Sequence, residues 1–182
     1  MRNLLRLAVC AGMLAVTMPA ASVVYTVTDL QTTNGNNQPL YRYVYNLIGV
    51  PLQQNQALEI QFEVSQFAAL SNPVAPGTNN NPFSLLLFQP NSPPGAAGVY
   101  SLYAVLANPS MLGTFSVDVA FIGGGTPGSQ QFFVNQYDSN QEFLSQVTSG
   151  FTSASGVPEP SSVVMGLTGL AAVYLARRRM TT

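Results

Sequence analysis

The sequence predicts an all-β fold: an Ig-like or jelly-roll-like β-sandwich of about eight strands, flanked by an N-terminal signal helix and a C-terminal transmembrane helix. Three observations predict it. Apolar side chains in the central region recur at every second residue, the spacing of a half-buried strand. Clusters of Asn, Gly and Pro interrupt these runs, with 15 Gly and 13 Pro among 182 residues, as expected of many turns and little helix. The long unbroken apolar runs lie at the two ends of the chain. Charged residues make up only 7% of the sequence, against roughly 25% in an ordinary soluble protein, so the polar surface has to come from Asn, Gln, Ser and Thr.

Residues 1–22, MRNLLRLAVCAGMLAVTMPAAS, carry Arg2 and Arg6, an apolar core from Leu7 to Val16, and small residues at Ala20, Ala21 and Ser22. This is the architecture of a secretory signal peptide, which implies the Sec translocon as a partner and cleavage between Ala20 and Val23. The sole cysteine, Cys10, leaves with the leader, so the exported body is expected to have no disulfide and no thiol.

The body spans residues 23–148. Its clearest strand is ALEIQFEV, with Leu58, Ile60, Phe62 and Val64 on one face and Glu59, Gln61 and Glu63 on the other. TFSVDVAF turns Phe115, Val117, Val119 and Phe121 inward, and Ser116 and Asp118 outward. In LYRYVYNL, Tyr41, Tyr43, Tyr45 and Leu47 share a face opposite Arg42, Val44 and Asn46. Further strands are expected at Val24 to Thr28, Phe83 to Phe88, Val99 to Leu106, Gln131 to Tyr137 and Phe143 to Thr148. TTNGNNQP supplies an Asn-Gly turn, while NPVAPGTNNNP and QPNSPPGAAG are long Pro-rich connections. Short helices are expected near Gln66 to Leu70 and Pro109 to Leu112, and residues 149–160 read as a linker.

The distribution of charge is more informative than its total. Between residues 22 and 156, Arg42 faces Asp29, Glu59, Glu63, Asp118, Asp138 and Glu142, and one arginine against six carboxylates leaves minus five. A body with no basic patch cannot neutralise phosphates, which excludes nucleic acid as a partner. The remaining arginines flank the ends: Arg2 and Arg6 in front, Arg177, Arg178 and Arg179 behind.

Val163 to Ala176 is apolar apart from Thr168, and within residues 161–182 it reads as a transmembrane helix. At about 1.5 Å per residue it is short for a hydrocarbon core of about 30 Å. Arg177, Arg178 and Arg179 end it as a stop-transfer signal, since arginines snorkel to headgroups and stay on the cytoplasmic side. A precursor held inside at both ends has its body outside. Pro158 and Pro160 prevent the helix from extending backwards and keep Val157 to Ser162 extended.

VPEPSS, the apolar segment and the Arg cluster, in that order over roughly the last 26 residues, resemble the sorting tail of the PEP-CTERM proteins of certain bacteria with an outer membrane. The resemblance implies a processing motif at Val157, Pro158, Glu159 and Pro160, recognition by the membrane transpeptidase exosortase, and removal of the helix with its arginines. Delivery to the cell surface or extracellular matrix would follow, in systems tied to exopolysaccharide and biofilm. The Tyr-rich strand, NQALEIQFEV and TFSVDVAFIGGGTPGSQQFFVNQYD further resemble the body of uncharacterised PEP-CTERM proteins, a likeness that brings no activity with it. The alternative for the tail is an ordinary C-terminal anchor on a periplasmic domain.

The residue inventory argues against an enzyme. The chain has no histidine, and the body has neither lysine nor cysteine, so Ser-His-Asp, Cys-His, Ser-Lys and the usual zinc constellations are absent. Glu59 and Glu63 on one strand stand about 13 Å apart at roughly 3.3 Å per residue, too far for a glycosidase pair, though a pair across strands such as Glu63 with Asp118 stays open. In YDSNQEF, Asp138, Asn140 and Glu142 alternate like calcium ligands. Phe143 then stands where such a loop needs glycine, and no acid follows at its twelfth position. DSNQ therefore reads as a hairpin turn, and no metal or other cofactor is expected. GGGTPG, without the Lys and helix of a phosphate loop, reads as a turn.

Two functional classes remain: a structural surface or matrix protein, and a module binding polysaccharide by stacking sugars on aromatic rings. For the second, Tyr41, Tyr43 and Tyr45 form a ligand platform if their face is exposed, and core if it is not.

Overall fold

The structure is a computed structural model that describes residues 22–49, 52–76, 82–107, 109 and 114–155. The leader through Ala21, the expected helix beyond Pro109, the motif Val157 to Pro160, the helix of residues 161–182 and Arg177 to Arg179 lie outside the described residues.

The described chain is all-β, with ten strands: β1 Ser22–Thr33, β2 Pro39–Ile48, β3 Gln56–Phe62, β4 Phe67–Val74, β5 Phe83–Phe88, β6 Gly98–Ala104, β7 Phe115–Phe121, β8 Gln131–Tyr137, β9 Phe143–Phe151 and β10 Ser153–Ala154. They form two five-stranded sheets, the first ordered β10-β1-β2-β7-β4 and the second β5-β6-β3-β8-β9. Both sheets contribute to one hydrophobic cluster: Tyr43, Tyr45, Phe115, Val117 and Val119 from the first meet Leu58, Ile60, Phe62, Tyr100 and Leu102 from the second, all fully buried. Period-two alternation produces this directly, because each strand turns alternate side chains to the facing sheet.

Three stretches depart from the sequence-based expectation. Residues 67–74 form β4 and not a helix, since Phe67 and Leu70 are buried in the shared core and β4 pairs antiparallel with β7. As a sheet edge, β4 tolerates Pro73, which has no N–H to give to a further strand. β3 stops at Phe62: Glu63 and Val64 enter a turn in which the Gln66 and Phe67 amides both donate to the Glu63 carbonyl, carrying the chain from the second sheet to the first. Glu63 is therefore exposed in a turn, while Asp118 lies on β7 of the other sheet. Residues 149–155 belong to the folded body and not to a linker. β9 runs to Phe151, β10 pairs parallel with β1 at Val24 and Tyr25, and the Ser155 amide donates to the Tyr25 carbonyl at 2.7 Å.

Two tight hairpins share one design. In the β1–β2 loop the Asn34 side-chain oxygen accepts from the Asn36 and Gln38 amides, and Asn37 adopts φ 57°. In the β8–β9 loop Asp138 Oδ1 accepts from the Asn140 and Glu142 amides, and Gln141 adopts φ 66°. DSNQ is thus a hairpin turn organised by Asp138, whose carboxylate is engaged by backbone donors. In TTNGNNQP the left-handed residue is Asn37 and not Gly35, consistent with the tolerance of Asn for that region.

Candidate functional site on the outer face of the second sheet

The tyrosine stripe of β2 is core. Tyr43 and Tyr45 are 0% exposed and Tyr41 packs partly buried against the cluster, so this face offers no platform to a sugar. Tyr43 and Tyr45 stack at 5.6 Å, and Tyr45 stacks on Phe115 at 5.4 Å. Their hydroxyls require partners in an apolar interior, and Gln130 supplies them. Tyr45 Oη donates to Gln130 Oε1 at 3.0 Å, Gln130 Nε2 donates to Tyr43 Oη at 2.8 Å, and Tyr43 Oη donates to the Gly128 carbonyl at 2.8 Å. Thr152 locks this hub in place, its Oγ1 accepting from the Gln130 amide. Burial raises the pKa of both phenols well above the ordinary tyrosine value.

On the outer face of the first sheet, Arg42 and Asp118 stand opposite each other on β2 and β7. Arg42 Nε and Nη2 donate to the two carboxylate oxygens at 2.6 and 2.8 Å, and Asn72 Nδ2 adds a third donor at 2.9 Å. Asp118 points outward as its place in the alternation predicts, yet these neighbours cover it to 2% exposure. Desolvation pushes its carboxyl up, and the hydrogen bonds from Arg42 and Asn72 outweigh this and hold it below the usual carboxylate range. The body's one arginine is thereby committed within the fold.

The outer face of the second sheet is different. Glu59 on β3 lies opposite Ser101 on β6 and Phe133 on β8, and one row along Ala57 lies opposite Tyr103 and Asn135. Ser84, Leu86 and Phe88 of β5 continue these rows. Ala57, Glu59, Ser84, Leu86, Phe88, Ser101 and Tyr103, with Tyr137 and Gln141, line a pocket of about 210 Å³. Its carboxylate is fixed on both oxygens: Tyr137 Oη donates to Glu59 Oε1 at 2.5 Å, and Asn135 Nδ2 donates to Oε2 at 3.0 Å. Tyr103 Oη donates to Asn55 Oδ1 at 2.9 Å. The rings of Tyr103 and Tyr137 are 6.0 Å apart at 66°, and Phe143 meets the far side of Tyr137 at 6.1 Å. Burial, followed by the Glu59 hydrogen bond and charge, pushes the Tyr137 phenol up to about 12.

Sequence reading places Glu59 outward but does not bring Tyr103 and Tyr137 to it. The available signal was position: each tyrosine occupies an outward place in its strand's alternation, Tyr103 beside Ser101 and Tyr137 beside Asn135, where a polar residue is the rule. Among the described residues no group of three or more His, Cys, Asp or Glu is placed to hold a metal ion, and no helix is long and apolar enough to cross a membrane. No family model matches the chain, and no curated protein matches it.

Proposed function

We propose that the chain is an exported, non-catalytic protein of the cell surface or extracellular matrix, delivered by its sorting tail and acting as a structural element through side-by-side association of its body. The observation that carries the structural role is β9, an edge strand of the second sheet. It bears no charged residue and leaves Phe143 59%, Leu144 61%, Val147 51% and Phe151 71% exposed. An uncharged edge with a row of exposed apolar side chains is a template for pairing with another strand, and a second copy of this chain supplies one of matching character. Register shifts that leave Val147 and Leu144 of β9 without a partner on β8 bend the edge, which favours a limited, directional contact over an open-ended one.

Export and sorting rest on the ends of the sequence: the leader before Val23, then Val157 to Pro160, the apolar segment and Arg177 to Arg179. The completed fold supports this reading, because the last strand residue, Ala154, precedes the motif and pairs with Tyr25 near the start of the body. The strand order also supports the Ig-like alternative over the jelly roll. β1-β2-β7-β4 facing β3-β8-β9 follows the arrangement of A-B-E-D against C-F-G, with the β5–β6 hairpin added beside β3.

Sorting is tested by intact mass and cell fractionation in the native host with and without its exosortase. The expected product lacks the residues after the PEP region and moves outward only when the enzyme is present. Retention of Thr182 and of the inner-membrane location in both strains would instead identify an ordinary anchor. Association is tested separately by sedimentation of the released protein, in which Leu144→Lys with Val147→Lys is expected to abolish a concentration-dependent dimer or oligomer.

A further inference from the structure

Glu59 is a half-buried carboxylate without a counter-ion among the described residues. Tyr137 and Asn135 orient both of its oxygens by neutral hydrogen bonds, whereas Arg42 is spent on Asp118 on the other sheet. A carboxylate removed from bulk water without a cation is costly unless something positive approaches it. The two rings beside it are held from both ends, by their strands and by their hydroxyls, at an inclined 66°. That edge-to-face corner is unsuited to the flat stacking of a pyranose, and the pocket beside it has room for a compact group. Leu86 and Phe88, 50% and 52% exposed, form an apolar wall opposite. A carboxylate in the same pocket as two aromatic rings, with an apolar wall, is complementary to a cation carried on an aliphatic body. The body's charge of minus five, from one arginine against six carboxylates, attracts such a ligand and repels anions.

We propose that the pocket between β5, β6, β3 and β8 binds an organic ammonium group, with the cation between Glu59 and the Tyr103 and Tyr137 rings and its carbon stem along Leu86 and Phe88. Amines of this kind are carried by deacetylated amino sugars and by lysine side chains, which share the chemistry and differ in the stem. The proposal rests neither on the β9 association nor on the sorting tail, although Phe143 of β9 packs against Tyr137.

The test is a titration of the purified full-length protein, followed by tyrosine emission and NMR line shifts, with butylammonium and its neutral isostere 1-butanol. A glucosamine dimer, its N-acetylated counterpart and a lysine amide identify the stem. Butylammonium is expected to bind at least about ten-fold tighter than butanol. Glu59→Gln is expected to remove that preference, and Tyr103→Leu to weaken butylammonium several-fold, as expected for loss of an aromatic neighbour to the cation. With the free amine preferred to the acetylated dimer, tighter binding of the glucosamine dimer than of lysine amide assigns the amine to a polysaccharide, and tighter binding of lysine amide assigns it to protein. Equal binding of butylammonium and butanol, or unchanged discrimination in a Glu59→Gln protein with native circular dichroism, would overturn the proposal. So would binding of the acetylated dimer as tight as that of the free amine. Should Glu59→Gln not fold, Tyr103→Leu and the isostere pair decide the question alone.

Discussion

Gln130 shows how much of this fold depends on single polar atoms. It occupies the interior at 3% exposure and connects two stacked tyrosines to Thr152. No buried side-chain nitrogen or oxygen among the described residues is left without a partner. Tyr45→Phe removes the shorter of the two hydrogen bonds that Gln130 Oε1 accepts, leaving the one from Thr152 Oγ1 at 3.4 Å, and is expected to lower unfolding free energy by about 1 kcal/mol despite preserving the ring, as read from a urea midpoint. Asp118 behaves differently. Its folded pKa is depressed, so its contribution is fully present above the ordinary carboxylate value and is lost as pH falls through the folded one. Wild-type stability is therefore expected to be level from neutral pH down to about pH 5 and to drop below about pH 4. In Asp118→Asn that acid limb should be shallower, and an unchanged limb would assign the acid sensitivity to other carboxylates.

At the scale of elements, the strands with strict alternation were legible and the irregular ones were not. In β3 and β7 every second residue is apolar, so Leu58, Ile60, Phe62, Val117 and Val119 could be placed in the core from spacing alone. β4, FAALSNPV, hides itself: Asn72 and Pro73 suggest a loop, Ala68 and Ala69 suggest a helix, and its pairing with β7 shifts register twice. β10 has two residues and is held by tertiary pairing that no local pattern reports. The candidate site was less legible still. Glu59 lies 76 residues from Asn135 and 78 from Tyr137, and they meet only because β3 lies between β6 and β8, an order that alternation does not encode. Close packing adds a constraint of the same kind at the β5–β6 connection. A Cβ on Gly98 would lie 2.7 Å from two ring carbons of Pro90 and 3.0 Å from Leu70 Cδ1. Neither the proline ring nor the buried Leu70 has room to retreat, so Gly98→Ala is expected to destabilise by about 1–3 kcal/mol, measured by the same urea midpoint. The Gln89 side chain, which bonds both the amide and the carbonyl of Leu70 at 2.9 Å, joins the two sheets at this place and should loosen with it.

The molecule as a whole carries an unusual set of titratable groups. Its body has six carboxylates, one arginine, no histidine, no lysine and no cysteine, so little changes protonation between the carboxylate and tyrosine ranges. Stability is expected to be nearly independent of pH from about 6 to 9. On the alkaline side, burial raises the pKa of Tyr43, Tyr45 and Tyr100, and burial with Glu59 raises Tyr137 to about 12. A raised folded pKa means that this stability is complete below the ordinary tyrosine value near 10 and is lost as pH climbs through the folded values. Phenolate absorbance and unfolding should therefore rise together in one steep alkaline transition. A smooth titration of every tyrosine near 10 with the fold intact would contradict the enclosed core.

The pairing of β10 with β1 also has a mechanical meaning. The two strands run parallel, Val24 beside Ser153 and Tyr25 beside Ala154, so β10 points in the direction in which β1 travels. Tension arriving along the polypeptide beyond Ser155 would act along the strand axis. The short ladder then resists as a clasp whose bonds share the load, in place of a zipper opened one bond at a time. Once that clasp slips, Thr152 and the Gln130 hub lie next in line. A body tethered at this end would hold its shape under a steady pull and then give way in a single step at its most recently added strand.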